Sequence, residues 1–441
     1  MAVRQNVVVG LGRSGLSAAR WLAQQGESVV VTDSRLAPPG LSELRVSHEA
    51  IVTRLGGFDL TLLESADRIV LSPGVSRQEP IVREALSRGL PVVGDVELFA
   101  QANPVPVVAV TGTNGKSTVT TLVAEMAKAA GVSAWAGGNL GEPALDLLAK
   151  PAPQFFVLEL SSYQLESTHT LQLVAAAVLN VTPDHMDRYD STDSYAAAKA
   201  RIFEHAVVAV VNVDDPRVTS MRRSGQRSVG FSVEKPKADY SLLSIDGVVV
   251  LAHCGRALMP VRDMKLPGRH NAANALAAIA IGTEMGLPME AMLRTLSEFS
   301  GLPHRSQLVA ECRGVRFIDD SKGTNVGATI AAVMGLIEPL VVIAGGDGKG
   351  QDFSPLAAAF TNRVRHAVLI GRDREQLASA LSGVCEIAFA NDMDAAVQLA
   401  FRVAKPGDIV LLSPACASLD MYKDYADRGL KFADSVRGLL Q

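Results

Sequence analysis

The chain has 441 residues, a formal net charge of −4 and a sequence pI near 6.1, which predicts two to four domains at roughly 100–200 residues each and argues against nucleic acid or an anionic membrane as partner. Cys254, Cys312, Cys385 and Cys416 form no C-x-x-C pair, so neither a zinc framework nor a disulfide scaffold is signalled and reduced thiols are expected. No stretch reaches the ~18–20 apolar residues of a membrane span, and the N-terminal MAVRQNVVVG runs into a strand rather than a signal region, so a cytoplasmic protein is expected.

Short Val/Ile/Leu runs alternate with Ala/Leu-rich helical patterns along the chain. Strands are predicted at 6–9, 28–32 and 68–71, with a helix over 14–25. Continuous apolar runs, rather than alternating ones, indicate strands covered on both faces and hence a parallel sheet. The segment QANPVP at 101–106 reads as a linker. A second unit follows, with strands predicted at 107–111, 155–160, 175–180 and 207–212. A small β addition is expected over 228–261 and a helix over 271–285. Gly301-Leu302-Pro303 marks the next boundary. A third unit has strands predicted at 316–318, 340–344, 367–370 and 409–412, each ending in a polar or glycine-rich turn. Ligands of open α/β sheets sit beyond such carboxyl ends.

Three glycine turns carry the chemistry. Gly10-Leu11-Gly12-Arg13-Ser14-Gly15 is a complete G-x-G-x-x-G between a strand and a helix, and Asp33 ends the next strand. Alone it predicts NAD, but any nucleotide diphosphate satisfies the same backbone and helix-terminus chemistry. The sharper signal is Thr111-Gly112-Thr113-Asn114-Gly115-Lys116-Ser117-Thr118, a phosphate loop whose Lys116 is expected to reach the β- and γ-phosphates and whose Ser117 hydroxyl is expected to bind Mg²⁺. It is a variant, since Val110 stands where the first glycine belongs. The third turn, Gly345 to Gly350, offers Lys349 for anion binding.

Glu159 ends an apolar strand, where a carboxylate is costly unless it meets a cation or a donor, and beside a phosphate loop it is suited to Mg²⁺. His185 lies between Asp184 and Asp187 and reads as either a metal ligand or a satisfied structural residue; Glu159 and the phosphate loop in the same sheet favour the functional reading. Composition alone reads Lys199, in an Ala-rich helix over 194–205, as a solvated lysine.

The motifs TGTNGKST, LELSSYQLE, NVTPDHMDRY with AAAKARIF, LPGRHNAANALAA, GLPHR, DDSKGTN and LLSPACASLD occur in one order across essentially the whole chain. Together they resemble the Mur ligase family. Within it, GLGRSGLS, TDSR and LSPGV are similar to the D-glutamate-adding members, and the D-N-P-R signature of members that add diaminopimelate or lysine is lacking. The resemblance implies an α/β protein of three domains, each with a mainly parallel sheet flanked by helices. These are a Rossmann-like UDP-substrate domain (1–94), a P-loop ATPase-like central domain (95–301) and a Rossmann-like amino-acid domain (302–441). It implies ATP-dependent joining of D-glutamate to UDP-N-acetylmuramoyl-L-alanine through an acyl phosphate in peptidoglycan precursor synthesis, by a monomer.

Residue by residue, the resemblance implies ATP contacts at Gly112, Thr113, Asn114, Gly115, Lys116, Ser117, Thr118, Asn271, Asn274, Arg305, Asp320 and Lys322. It implies one Mg²⁺ on Ser117 and Glu159 and a second on His185 and a carbamylated Lys199. Asn139 and His185 are expected near the reacting carboxylate. Ser14, Asp33, Ser34, Arg35, Ser72, Pro73 and Gly74 are expected at the UDP-substrate, and Thr324, Lys349, Ser418 and Tyr425 at D-glutamate. Tyr425 stands where the family often has Phe. Two other classes compete. A nicotinamide oxidoreductase leaves TGTNGKST unused, and a non-catalytic nucleotide switch leaves Glu159, His185 and Lys349 unexplained. A folylpolyglutamate synthase shares the ATP core but needs no first domain.

Overall fold

The computed structural model describes residues 5–266 and 268–439. Pro267 of the LPGRH motif, the first four residues of the expected first domain and the last two of the third lie outside the described residues.

Three sheets, each the centre of an α/β domain, organise the chain. The first has the strand order Val52–Leu55, Ser28–Asp33, Gln5–Val9, Arg68–Leu71, Val92–Gly94, parallel throughout. The second has nine strands. Its parallel heart runs Leu173–Val178, Val107–Thr111, Phe155–Glu159, Ala134–Gly138. Ala206–Asn212 and Arg227–Phe231 extend it on the other side in parallel, Tyr240–Ile245 with Val248–His253 adds an antiparallel hairpin, and Arg256–Pro260 forms the edge beyond it, the β addition expected there. The third sheet is ordered Gln307–Cys312, Val315–Asp319, Ile409–Leu412, Leu340–Gly345, Val364–Ile370, Glu386–Phe389, with only the first pair antiparallel.

The apolar runs read as doubly covered strands are buried: Val7–Val9, Val107–Val110, Leu340–Ala344 and Ile409–Leu412 have almost no exposed surface. Strands Val52–Leu55, Ala134–Gly138, Gln307–Cys312 and Glu386–Phe389 are additional. They lie at sheet edges and carry exposed or half-exposed residues, so they lack the dense apolar run that marks a central strand. The expected linker begins as the end of helix Asp95–Ala102.

The described chain falls into two compact units. The first comprises the chain up to Asn180 with Asp193–Met259 and Asn274–Thr295, and so holds the first two sheets. The second comprises Val181–Thr192, Pro260–Ala273 and the chain from Leu296 onward. Among the described residues, no helix is long and apolar enough to cross a membrane.

Candidate active site

In the first unit, the strand Val107–Thr111 delivers the chain into the loop Gly112–Gly115, and helix Lys116–Ala129 leaves it. Gly115 has φ +84, and a Cβ there would lie 2.4 Å from Asn274 Oδ1, so only glycine fits and Asn274 is pressed against the loop. Asn180 clamps the other side. Its carbonyl accepts from Thr113 N (2.9 Å), its Oδ1 accepts from Asn114 N (2.8 Å), and its Nδ2 donates to Asn114 O (3.0 Å). Ser117 and Thr118 occupy the first helical turn and are buried. Lys116 Nζ folds back onto Gly112 O (2.9 Å) and Thr113 O (2.8 Å).

Lys199 corrects the composition-based reading of a solvated lysine. It is 1% exposed, its Nζ donates to Gly112 O at 2.9 Å, and it sits 4.3 Å from the Tyr195 ring centroid. The helix Thr192–Ala200 turns this position inward, because Tyr195, Ala198 and Lys199 form its buried face. An ammonium at this depth is costly without strong partners.

Glu159 closes the same site. Its strand pairs on one side with Val107–Thr111, matching Val110 to Glu159, and on the other with Ala134–Gly138, matching Gly138 to Glu159. Glu159 is 2% exposed. Oε1 accepts from Asn139 Nδ2 at 2.6 Å, whereas Oε2 is buried without a hydrogen-bond partner. An orphaned carboxylate oxygen beside a phosphate loop suits a hard divalent cation that draws its other ligands from a hydroxyl, phosphates and water. Among the described residues no cluster of three or more His, Cys, Asp or Glu could hold a metal by itself.

Asn139 also lines a cleft of about 450 Å³ bordered by the first glycine turn. Gly10, Gly12, Arg13, Ser14, Asp33, Ser34, Arg35, Ser72, Pro73 and Gly74 form one wall, and Gly138, Asn139, Gly141, Pro143 and Gln164 the other. A Cβ on Gly15 would sit 1.9 Å from Gly10 O, so this glycine serves tight packing. A Cβ on Gly12 would meet nothing nearer than Ser72 Oγ at 3.8 Å, so packing does not require glycine there and the space beside it is open to the cleft.

Asp33 is already engaged. Its Oδ2 accepts from Leu11 N (2.7 Å) and Arg35 NH2 (2.7 Å), and its Oδ1 from Arg35 N and Nε (both 2.9 Å). Burial opposes its ionisation, but Arg35 and the two N–H groups outweigh it and hold the carboxyl below the usual carboxylate range. Asp33 therefore braces the glycine turn.

Sequence reasoning missed several groups here. Asp95, at the head of helix Asp95–Ala102, is buried, and no donor meets its carboxylate oxygens in good hydrogen-bond geometry. Burial pushes its pKa up, while weaker polar approaches from Ser14, the Val96 N–H and Gln164 oppose the shift. Gln164 itself is held by a capping box, with Oε1 accepting from Ser161 N at 3.0 Å. Among the described residues, Phe58 is the one aromatic in the cleft lining. Local sequence carries no signal for such residues, because their partners come from remote segments.

In the second unit, Lys349 Nζ pairs with Asp184 Oδ1 at 2.6 Å, and Asn325 Nδ2 donates to Asp184 Oδ2 at 3.2 Å. His185 follows in the left-handed region (φ +57), its backbone N donating to Asp184 Oδ1. Asp320 is buried. Burial pushes its pKa up to about 6 against the Ser413 hydroxyl and the nearby Arg305 charge. Lys322 Nζ lies 3.7 Å from the Tyr425 ring centroid, and Thr324 N donates to Lys322 O. The Ser418 carbonyl accepts from Tyr422 N at 2.8 Å, and Asn271 lies in the first turn of helix Arg269–Glu284. Arg428, also missed, is wholly buried and ties two of these loops together. It donates to Ser321 Oγ (3.0 Å), Ser321 O (2.8 Å) and Cys416 O (3.1 Å), and burial brings its pKa down to about 10.

Comparison with known proteins finds three family models in chain order: a MurD-like N-terminal domain over residues 4–94, the Mur ligase middle domain over 110–282 and the Mur ligase glutamate ligase domain over 304–416. A protein of Nitrosococcus oceani named UDP-N-acetylmuramoylalanine--D-glutamate ligase is 50% identical over 438 residues, 99% of this chain and 97% of its own. A protein of the same name from Methylobacillus flagellatus is 50% identical over 442 residues, with 99% and 97% covered. Among solved structures, the UDP-N-acetylmuramate-alanine ligase MurC of Thermotoga maritima has TM-score 0.64 at 19% identity, with 99% of both chains covered. The MurF ligase of Thermotoga maritima in complex with ADP has TM-score 0.62 at 16% identity, covering 99% of this chain and 96% of that one. These two likenesses concern the fold.

Proposed function

This chain belongs to the Mur ligase family, and we infer that it joins D-glutamate to UDP-N-acetylmuramoyl-L-alanine at the expense of ATP, the reaction that its relatives' name describes. The observation that carries the reading is the Asn139–Glu159 hydrogen bond. Asn139 lines the cleft and Glu159 borders the phosphate loop, so one 2.6 Å contact links an acceptor site to a nucleotide site.

In this mechanism the L-alanyl carboxylate attacks the γ-phosphorus of ATP. The bond to the β–γ bridging oxygen breaks, and acyl phosphate and ADP form. The amine of D-glutamate then adds to the acyl carbon, phosphate departs, and the nitrogen loses a proton. Lys116 and the loop N–H groups offset charge on the transferring group. Ser117 and Glu159 are the residues that would hold Mg²⁺, supported by the unpaired Glu159 Oε2, and when bound the ion neutralises phosphate charge. Lys199 is buried against Gly112 O. Carbamylation would replace its ammonium with a carboxylate-like group, the form able to ligate Mg²⁺. No covalent enzyme nucleophile is needed, and orientation contributes most of the remaining barrier reduction.

The cleft residues from Ser14 to Gly74 take the UDP-linked acid, and Thr324, Lys349, Ser418 and Tyr425 take the amino acid. His185 is assigned near the reacting carboxylate. Asn271, Asn274, Arg305, Asp320 and Lys322 serve the nucleotide. The functional domains on this reading are 1–94, 95–301 and 302–441. Incubation with ATP, UDP-N-acetylmuramoyl-L-alanine and D-glutamate, followed by mass spectrometry, tests the reaction. The expected product is the UDP-linked dipeptide, formed only when all three are present. ATP consumption without that product contradicts the reading.

A further inference from the structure

The Asp33 carboxylate accepts from Leu11 N and Arg35, so within the turn it is Ser34 and Arg35, with whatever packs over them, that face a nucleotide base in this cleft. The loop after strand Val52–Leu55 folds directly over the Asp33–Arg35 turn. Gly56 N donates to Asp33 O (3.1 Å) and Arg35 O (3.2 Å), Gly57 N donates to Asp33 O (3.3 Å), and Asp59 N donates to Thr32 Oγ1 (3.2 Å). These bonds fix Phe58 beside Ser34 and Arg35 at the cleft. Phe58 packs against the core cluster of Val7, Val9, Ile69 and Leu71 while also lining the cleft. A partly buried aromatic residue that packs on the core and also lines a polar, glycine-rich cleft offers a stacking surface.

We propose that Phe58 is the base platform of this cleft, taking the uracil ring of the UDP-linked substrate by stacking and so setting the cleft's preference for a nucleoside diphosphate over a bare diphosphate sugar. The proposal rests on the UDP-substrate reading above. Stacking on an aromatic side chain contributes enough per base that removing the ring is expected to weaken UDP binding about tenfold.

The test is calorimetric titration of the full-length protein with UDP and with ribose 5-diphosphate, which lacks the base. Wild type is compared with Phe58→Leu, which keeps an apolar anchor on the core, and with Phe58→Tyr, which keeps the ring. Phe58→Leu is expected to weaken UDP about tenfold and ribose 5-diphosphate hardly at all, with Phe58→Tyr restoring UDP affinity and the KM for ATP unchanged. Equal weakening of both ligands, or no weakening, overturns the platform role while UDP binding by the wild type leaves the substrate reading standing. Failure of the wild type to bind UDP overturns both.

Discussion

The two glycine turns of the first unit look alike in sequence and differ in what they leave open. Both follow a buried parallel strand and start a helix. In the first, Asp33 is satisfied by Arg35 and Leu11 N, Gly15 is pressed on Gly10 O, and the open space is the cleft beside Gly12. In the second, two lysine ammoniums converge on Gly112 O and a buried carboxylate oxygen of Glu159 has no hydrogen-bond partner. A site complete in itself binds by shape and backbone donors. The second turn instead gathers two lysine side chains and a buried carboxylate oxygen around one loop, and such a set leaves polar groups for a ligand to satisfy. The glycine pattern by itself therefore tells little, and the side chains that surround it decide.

The largest expected effect comes from the second turn. Lys116→Ala is expected to abolish product formation while circular dichroism and melting temperature stay at wild-type values. Near-normal turnover in that variant would remove the distinction between the turns. Next comes packing in the first turn. Gly15→Ala forces a Cβ to 1.9 Å from Gly10 O and is expected to cost about 1–3 kcal/mol by denaturant unfolding. Gly12→Ala is expected to leave unfolding unchanged and raise the KM for the UDP-substrate several-fold. Equal behaviour of the two variants would contradict the assignment of one glycine to packing and the other to ligand approach.

The smallest effects are in pH dependence, and their signs oppose. The Asp33 carboxyl sits below its ordinary range when folded, so its stabilisation is present above the unfolded pKa of about 4 and is lost as pH falls through the folded value. Asp320 is raised to about 6, so between about pH 4 and 6 the folded chain holds the extra proton and stability falls as pH rises. Unfolding followed across pH 3–7 is expected to show Asp33→Asn flattening the acid limb and Asp320→Asn flattening the fall toward pH 6. The same slope in either variant and the wild type would discard that residue's assignment.

What could be read in advance follows the same division. The loop TGTNGKST, the central strands and the three-sheet architecture are written locally, in glycine spacing and continuous apolar runs. Local composition misread Lys199, because its burial against Gly112 depends on a loop 87 residues earlier. Asp95 sits behind Ser14 and Gln164, and Phe58 over the Asp33–Arg35 turn. Each gains its meaning from segments distant in sequence. Strands Val52–Leu55 and Glu386–Phe389 have four residues each at sheet edges and expose part of their surface, so no periodicity marks them.

ATP, a UDP-linked acid and D-glutamate meet in one reaction on the reading proposed above. Phosphate release measured with UDP-N-acetylmuramoyl-L-alanine and a panel of D- and L-amino acids tests it most directly. Strong stimulation by D-glutamate, with little from L-glutamate or meso-diaminopimelate, is the predicted result. Stimulation by meso-diaminopimelate without response to D-glutamate would contradict it.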